Sequence, residues 1–440
     1  MDSGRWRCPA AEGPVRTRLR LPGSKSITNR ALVLAALSDS PSLVRGPLRA
    51  RDTSLAVAAL RVLGCSISES GTDTVLAVSP PPDDSGPVAP LTVDVGNAGT
   101  VMRFLPAAAA VLSAAPVAFD GDPRARERPV GALLGALRAL GVPVDDDGRG
   151  ALPFTVHGQG CVRGGAVTLD ASGSSQLVSG LLLAAPRFDL GVEVRHEGPP
   201  VPSLPHIDMT LRMLRGAGAE VSAGGSPRPS LWRVRAGRLR LGDLTVEPDL
   251  SNAGPFLAAA LVTGGSVTVL DWPADSLQAS DGILEVLTRM GAVCTPGPDG
   301  LTVTGPGVIN GIEADLRDIP EMCLPLTSVA ALASGPSVFT GVGHTRAQET
   351  DRLAAIVKEI NALGGDVTEL PDGLSVRPRP LHASPGQAFE SYDDHRMVMA
   401  AAVLGLAVPG IEVPNVATVG KTFPDFTALW SSMVRGESGT

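Results

Sequence analysis

The chain has 440 residues, 43% hydrophobic but only 3% aromatic, so it can bury a large core built from Ala, Val, Leu and Ile. Its net charge of −8, with no basic tail or stripe, argues against nucleic acid as a partner. Five widely spaced cysteines without a Cys-x-x-Cys pair argue against a disulfide framework or zinc site, and no apolar stretch is long enough to span a bilayer, so a soluble cytoplasmic protein is predicted.

The first informative element is Pro22-Gly-Ser-Lys-Ser-Ile-Thr-Asn-Arg30, followed at once by the apolar run 31–37. Gly23 and Ser24 read as a turn and cap, which puts Lys25, Ser26 and Arg30 at the start of a helix. Free N–H groups and the positive end of the helix dipole favour an anion there.

The same element then recurs. A polar start followed by a small, apolar helix appears at Ser24, Asn97, Ser174, Ser251, Glu321 and Asp394, spaced 70 to 77 residues apart. A second series, an amphipathic helix closed by glycine, ends at Gly64, Gly141, Gly218, Gly291, Gly364 and Gly436 at matching intervals. Alternating strand-like runs, such as Leu301-Thr-Val-Thr, follow most of these glycines. Each unit of about 75 residues therefore reads strand, buried helix, strand, exposed helix, strands. A helix that is apolar all round is buried, so strands should surround these helices. Composition and terminal position predict disorder for residues 1–14 and 436–440.

The groups fit for chemistry sit at or near the helix starts. They are Lys25, Ser26 and Arg30; Asn97, Gly99 and Thr100; Ser174, Ser175 and Gln176; Glu321; and Asp394, His395 and Arg396. Three further clusters join them: the arginine-rich loop 121–129, Glu349 with Arg352, and Lys421 in a Gly-Lys-Thr turn. Any one of these is ordinarily a solvated charge. Basic residues concentrated at equivalent places of an acidic protein point instead to small, highly anionic substrates. The six histidines show no metal-ligand spacing, no nucleophile elbow is present, and no Walker or Rossmann fingerprint stands out, so neither a metal nor a cofactor is predicted.

PGSKSxTNRAL, GNAGTxMRFL, GDPRARERP, SSQLVSGLLL, ETDRL, DDHRMxMA and KTFPDF, in that order from about Pro22 to Phe426, resemble the 5-enolpyruvylshikimate-3-phosphate synthase (3-phosphoshikimate 1-carboxyvinyltransferase) family. The resemblance implies two inside-out α/β domains, each of three repeated βαβαββ units. One would contain residues 1–23 and 248–440, the other residues 24–247, with the active site in the cleft between them. It further implies transfer of the enolpyruvyl group of phosphoenolpyruvate to the 5-hydroxyl of shikimate 3-phosphate, with release of phosphate. The partners would be these two small molecules, with neither nucleic acid nor membrane involved, and the chain is expected to be a monomer.

Carried over residue by residue, the resemblance assigns shikimate 3-phosphate to Lys25, Ser26, Arg30, Ser174, Ser175, Gln176, Ser203, Glu321, His344 and Gln348. It assigns phosphoenolpyruvate to Lys25, Asn97, Gly99, Arg128, Gln176, Arg352, Arg396 and Lys421. Glu321 would take the proton from the 5-hydroxyl. Glu349 would protonate the methylene carbon, with Lys25 assisting. Some positions depart from the family pattern. Gln348 stands where lysine is common, His344 and His206 where asparagine and tyrosine are common, Glu321 where aspartate is more frequent, and Phe104 where proline is frequent. Two alternatives share the fold. One is a paralogue with a different acceptor. The other is the sister enzyme acting on UDP-N-acetylglucosamine, whose loop cysteine is missing from 121–129.

Overall fold

The computed structural model describes residues 4–70, 74–82, 87, 89–225 and 228–437. The chain divides into two compact units, Gly23–Val246 and Met1–Pro22 with Glu247–Thr440. We refer to them as the inserted and the terminal unit.

Buried and half-buried helices alternate along the chain. In the inserted unit they are α1 (Lys25–Ala36), α2 (Arg51–Val62), α3 (Gly99–Leu112), α4 (Gly131–Ala139), α5 (Gln176–Ala184) and α6 (Leu204–Gly216). In the terminal unit they are α7 (Leu250–Thr263), α8 (Ser280–Arg289), α9 (Cys323–Ala331), α10 (Arg352–Ala362), α11 (His395–Gly405) and α12 (Phe426–Val434). The odd-numbered helices are the small, apolar ones. Every residue of α3, α9 and α11 is buried. The three odd-numbered helices of each unit pack against one another. Alanine-rich surfaces permit this close approach, and each fully buried Leu, Val or Phe among them contributes about 1.5–3 kcal/mol. The even-numbered helices are amphipathic and end as the glycines predict. Gly64, Gly141, Gly218, Gly291, Gly364 and Gly436 have φ between +74° and +105°, a left-handed conformation that side chains oppose.

Strands complete each repeat in one pattern. In the second repeat Leu91–Asp94 runs parallel to Pro116–Asp120, which pairs antiparallel with Phe154–His157, which in turn pairs with Val144–Asp145. The sheets containing Gly165–Leu169 and Glu313–Asp315 follow the same order. The two repeats at the crossovers borrow their first strand. Asp243–Thr245, from the far end of the inserted unit, lies parallel to Ser42–Arg45, and Arg16–Leu19 lies parallel to Ser266–Leu270. Each unit therefore closes on a strand distant in sequence.

The sixth repeat differs from the sequence reading. Its first strand is reduced to one parallel bridge, Ala388 to Glu412, and Arg5–Arg7, antiparallel to Glu412–Pro414, takes the place that Phe154–His157 holds in the second repeat. Disorder is thus corrected for residues 4–14. Arg5–Arg7 is strand, Trp6 meets Phe426 edge-on with ring centroids 6.3 Å apart, and Cys8 is buried. Residues 1–3 and 438–440 lie outside the described residues. No helix among the described residues is long and apolar enough to cross a membrane.

Candidate active site

In the inserted unit the starts of α1, α3 and α5 come together through polar side chains. Asn29 donates to Thr100 Oγ1 at 2.6 Å, joining α1 to α3, and Arg103 donates to Gln176 Oε1 at 3.0 Å, joining α3 to α5. Lys25, the first residue of α1, lies 3.2 Å from Asp52 on α2, whose carboxylate is buried. Serines cluster nearby in the chain. Ser174 Oγ accepts from the Gln176 N–H at 3.2 Å, Ser175 is buried, and Ser203 precedes α6 with φ 52°. The Ser26 side chain is half-buried, and its carbonyl accepts from Arg30.

Arg30 is directed inward. Four of its five N–H donors bond to Ser26 O, Thr210 Oγ1, Ser179 Oγ and His206 O, and its guanidinium sits 4.9 Å from the centroid of the Phe104 ring. Burial pushes it down to about 9, which still leaves it charged at neutral pH. Its bonds to α6 residues make it a pin between α1 and α6.

A denser cluster of cations lies over Gly99. A Cβ there would stand 2.6 Å from Arg128 Nη2 and 2.9 Å from Arg103 Nη1, so the missing side chain lets two buried guanidinium groups converge. Arg128 Nη1 also donates to Asn97, at 3.1 Å to its carbonyl and 3.0 Å to its Oδ1. A guanidinium has no acceptor, so Asn97 and Gln176 must turn their oxygens to the arginines, which leaves their amide N–H groups as donors. Of the three arginines in the 121–129 loop only Arg128 is buried. Arg124 pairs with Glu127 and Arg126 with Asp120 at the surface.

In the terminal unit charge of both signs is packed tightly. Arg352 opens α10, one residue after the N-cap Asp351. It pairs with Asp394, Nε to Oδ2 at 2.7 Å and Nη2 to Oδ1 at 3.2 Å, and its Nη2 lies 2.9 Å from Glu349 Oε2. Its Nη1 donates to Gln348 Oε1. Burial alone would lower its pKa, but Asp394, Glu349 and Glu321 outweigh that and raise it above the ordinary arginine value. The other oxygen of Glu349 lies 3.1 Å from Lys421 Nζ.

Arg396, the second residue of α11, is buried and donates to the Glu321 carbonyl at 3.4 Å. Burial and the neighbouring Arg352 lower its pKa, against Glu321, Asp249 and Asp394. Glu321 itself lies in the 3-10 turn Pro320–Met322, not in the helix proper, because Pro320 opens a tighter turn just ahead of α9. His344 is lowered by burial, which Glu321 opposes, and its Nε2 is buried without a hydrogen-bond partner. Among the described residues no three metal-binding side chains cluster. A cavity of about 560 Å³ in the inserted unit, lined by Ala36, Asp39, Leu112, Cys161 and Arg187, lies at the opposite ends of α1 and α3 and holds none of these residues.

The family profile for EPSP synthase (3-phosphoshikimate 1-carboxyvinyltransferase) matches residues 9–430. The chain belongs to that family. It is 50% identical, over 98% of its length and 97% of the relative's, to a 3-phosphoshikimate 1-carboxyvinyltransferase from Kocuria rhizophila. Two solved structures share its fold. An EPSP synthase from Acinetobacter baumannii is 24% identical with a TM-score of 0.79, covering 99% of this chain and 98% of that one. The enolpyruvyl transferase NikO from Streptomyces tendae is 18% identical with a TM-score of 0.74, covering 96% of each chain.

Sequence reasoning missed three members of these clusters: Asp52, Arg103 and Asp249. Asp249 caps α7 through the Asn252 N–H at 3.0 Å and is one of the acids acting on Arg396. Arg103 had a signal. It lies four residues after Gly99, on the same helical face. Asp52 lies in the first turn of α2, and its partner Lys25 is 27 residues away in the chain.

Proposed function

We propose that this chain transfers the carboxyvinyl group of phosphoenolpyruvate to the 5-hydroxyl of shikimate 3-phosphate and releases phosphate. The observation that carries the reading is the near full-length identity of 50% to a 3-phosphoshikimate 1-carboxyvinyltransferase. The two clusters of buried cations suit its small, multiply charged substrates.

In this reading Lys25, Asn97, Gly99, Arg128, Gln176, Arg352, Arg396 and Lys421 hold the carboxylate and phosphate of phosphoenolpyruvate. Shikimate 3-phosphate is held by Lys25, Ser26, Arg30, Ser174, Ser175, Gln176, Ser203, Glu321, His344 and Gln348. Arg352 takes the Gln348 oxygen, so that side chain offers an amide donor where a lysine would offer a charge. Glu321 accepts the proton of the 5-hydroxyl as its oxygen attacks C2 of phosphoenolpyruvate. Glu349, with Lys25 assisting, delivers a proton to C3. The tetrahedral intermediate then loses phosphate from C2 and a proton from C3, which restores the double bond. Buried, preorganised cations stabilise the charge that builds during addition. Phosphoenolpyruvate brings its own anionic groups to Lys421 and Arg352, and Glu349 exchanges those partners for the methylene carbon.

Phosphate release from phosphoenolpyruvate with shikimate 3-phosphate as acceptor tests this reading, and absence of turnover at any acceptor concentration overturns it. A different acceptor is the second reading, raised by Gln348 and His344, and the 50% identical relative favours the first. A monomeric state and a cytoplasmic location belong to the same proposal. Light scattering on the purified chain tests the former.

A further inference from the structure

Tyr392 and Asp393 are consecutive non-glycine residues in the left-handed region, with φ 51° and 55°. Such a pair is sparsely populated and persists only where its surroundings hold it. Here three neighbouring residues each make their own contacts. Tyr392 donates its hydroxyl to Glu359 Oε1 at 2.5 Å, and Glu359, buried on α10, also accepts the Glu390 N–H at 3.0 Å. Asp394 pairs with Arg352 and caps α11 through the Arg396 N–H at 2.9 Å. Asp393 holds a third element. Its carboxylate accepts from Asn415 Nδ2, and its carbonyl accepts from Thr418 Oγ1 at 2.8 Å. Asn415 and Thr418 belong to the start of the 3-10 segment Val416–Lys421, which ends on Lys421. The elbow thus ties together the backbones that carry Arg352, Arg396 and Lys421, and Asp393 itself bonds to none of the three.

We propose that Asp393 is a positioning residue. Through Asn415 and Thr418 it fixes the segment carrying Lys421 against the start of α11, and so sets the spacing of Lys421 from Arg352 and Arg396. A lysine ammonium rides on a flexible four-carbon stem, so its placement depends on a fixed backbone, and small displacements of a charge in a preorganised site are costly. The inference rests on the reading above that these cations hold phosphoenolpyruvate.

The test uses substitutions that keep the left-handed backbone. Asp393→Gly and Asn415→Gly each remove one side of the contact, and Asp393→Asn keeps an acceptor oxygen. Both glycine variants should raise KM for phosphoenolpyruvate by about tenfold with the acceptor KM within about twofold of wild type. The double variant should be no worse than either single one, since both remove the same contact. Asp393→Asn should behave as wild type. Should Asp393→Gly not fold, Asn415→Gly and Thr418→Val probe the contact from its other side. An unchanged phosphoenolpyruvate KM in the folded variants, additive effects in the double variant, or an equal rise in the acceptor KM overturns the proposal. Lys421→Met separates the two readings. If it leaves the phosphoenolpyruvate KM unchanged, the assignment of Lys421 fails, and the inference falls with it.

Discussion

Arg352 and Asp394 face each other as a two-point ion pair, 2.7 and 3.2 Å, with the arginine 5% and the aspartate 0% exposed. A planar guanidinium can make this contact and still reach Glu349 and Gln348, which an ammonium cannot. Asp394 also caps α11, so one carboxylate orients the arginine and holds the helix that carries Arg396.

Truncating that carboxylate leaves a buried, partly uncompensated arginine and an uncapped helix. Asp394→Ala should lower unfolding free energy by about 3–5 kcal/mol. Urea denaturation checks this. The midpoint should fall at an unchanged slope, and an unaltered midpoint would contradict the role given to the pair.

Glu349 is held on both oxygens, by Arg352 at 2.9 Å and by Lys421 at 3.1 Å. Glu349→Gln keeps the shape of the side chain and loses the transferable proton. Substrate binding should persist while kcat falls by about 10²–10⁴-fold. Steady-state phosphate release measures it, and unchanged turnover would remove Glu349 as the acid.

A methyl group at Gly99 would press on Arg128 Nη2 and Arg103 Nη1, at 2.6 and 2.9 Å. Both guanidinium groups are already tied, to Asn97 and Gln176, so they must give way together. Gly99→Ala should raise KM for phosphoenolpyruvate by about tenfold, roughly 1.4 kcal/mol, with a smaller effect on the acceptor. Equal KM values for variant and wild type would place the anion elsewhere.

The His344 pKa is lowered by burial, opposed by Glu321. A buried imidazole that resists protonation contributes full stability above its ordinary pKa of about 6.5 and loses it as pH falls below that value, because the unfolded chain then binds the proton more readily. Denaturation midpoints at about pH 7.5 and 5.5 should therefore drop more for wild type than for His344→Asn. Equal drops would show that His344 carries none of the acid-side loss.

The repeats were legible because their physical cause is local. An apolar run with a polar start buries itself, and a glycine after an amphipathic helix supplies the left-handed cap, so α1 to α12 fell where the two series put them. The ordered motifs also brought Arg128, Arg352, Arg396 and Lys421 into view. Partners at a distance were not legible. Asp52 beside Lys25 and Arg103 beside Gln176 are separated in sequence by 27 and 73 residues. Arg30 shows the limit in another way. As a basic residue near a helix start it reads as a ligand contact, and only packing shows four of its donors turned to α1, α5 and α6.

The sequence by itself determined that six βα-type units exist, which helices are buried, and which side chains begin them, since all of that follows from periodicity and short-range capping. Tertiary structure decided what closes each repeat and which charges meet. Arg5–Arg7 fills the sixth sheet and Asp243–Thr245 the first, because strand pairing joins segments by hydrogen bonds indifferent to chain distance. The left-handed elbow at Tyr392 and Asp393 belongs to the same class. Aspartate tolerates this conformation better than most residues, but two such positions in succession hold here because Glu359, Asn415 and Thr418 arrive from elsewhere to grip them.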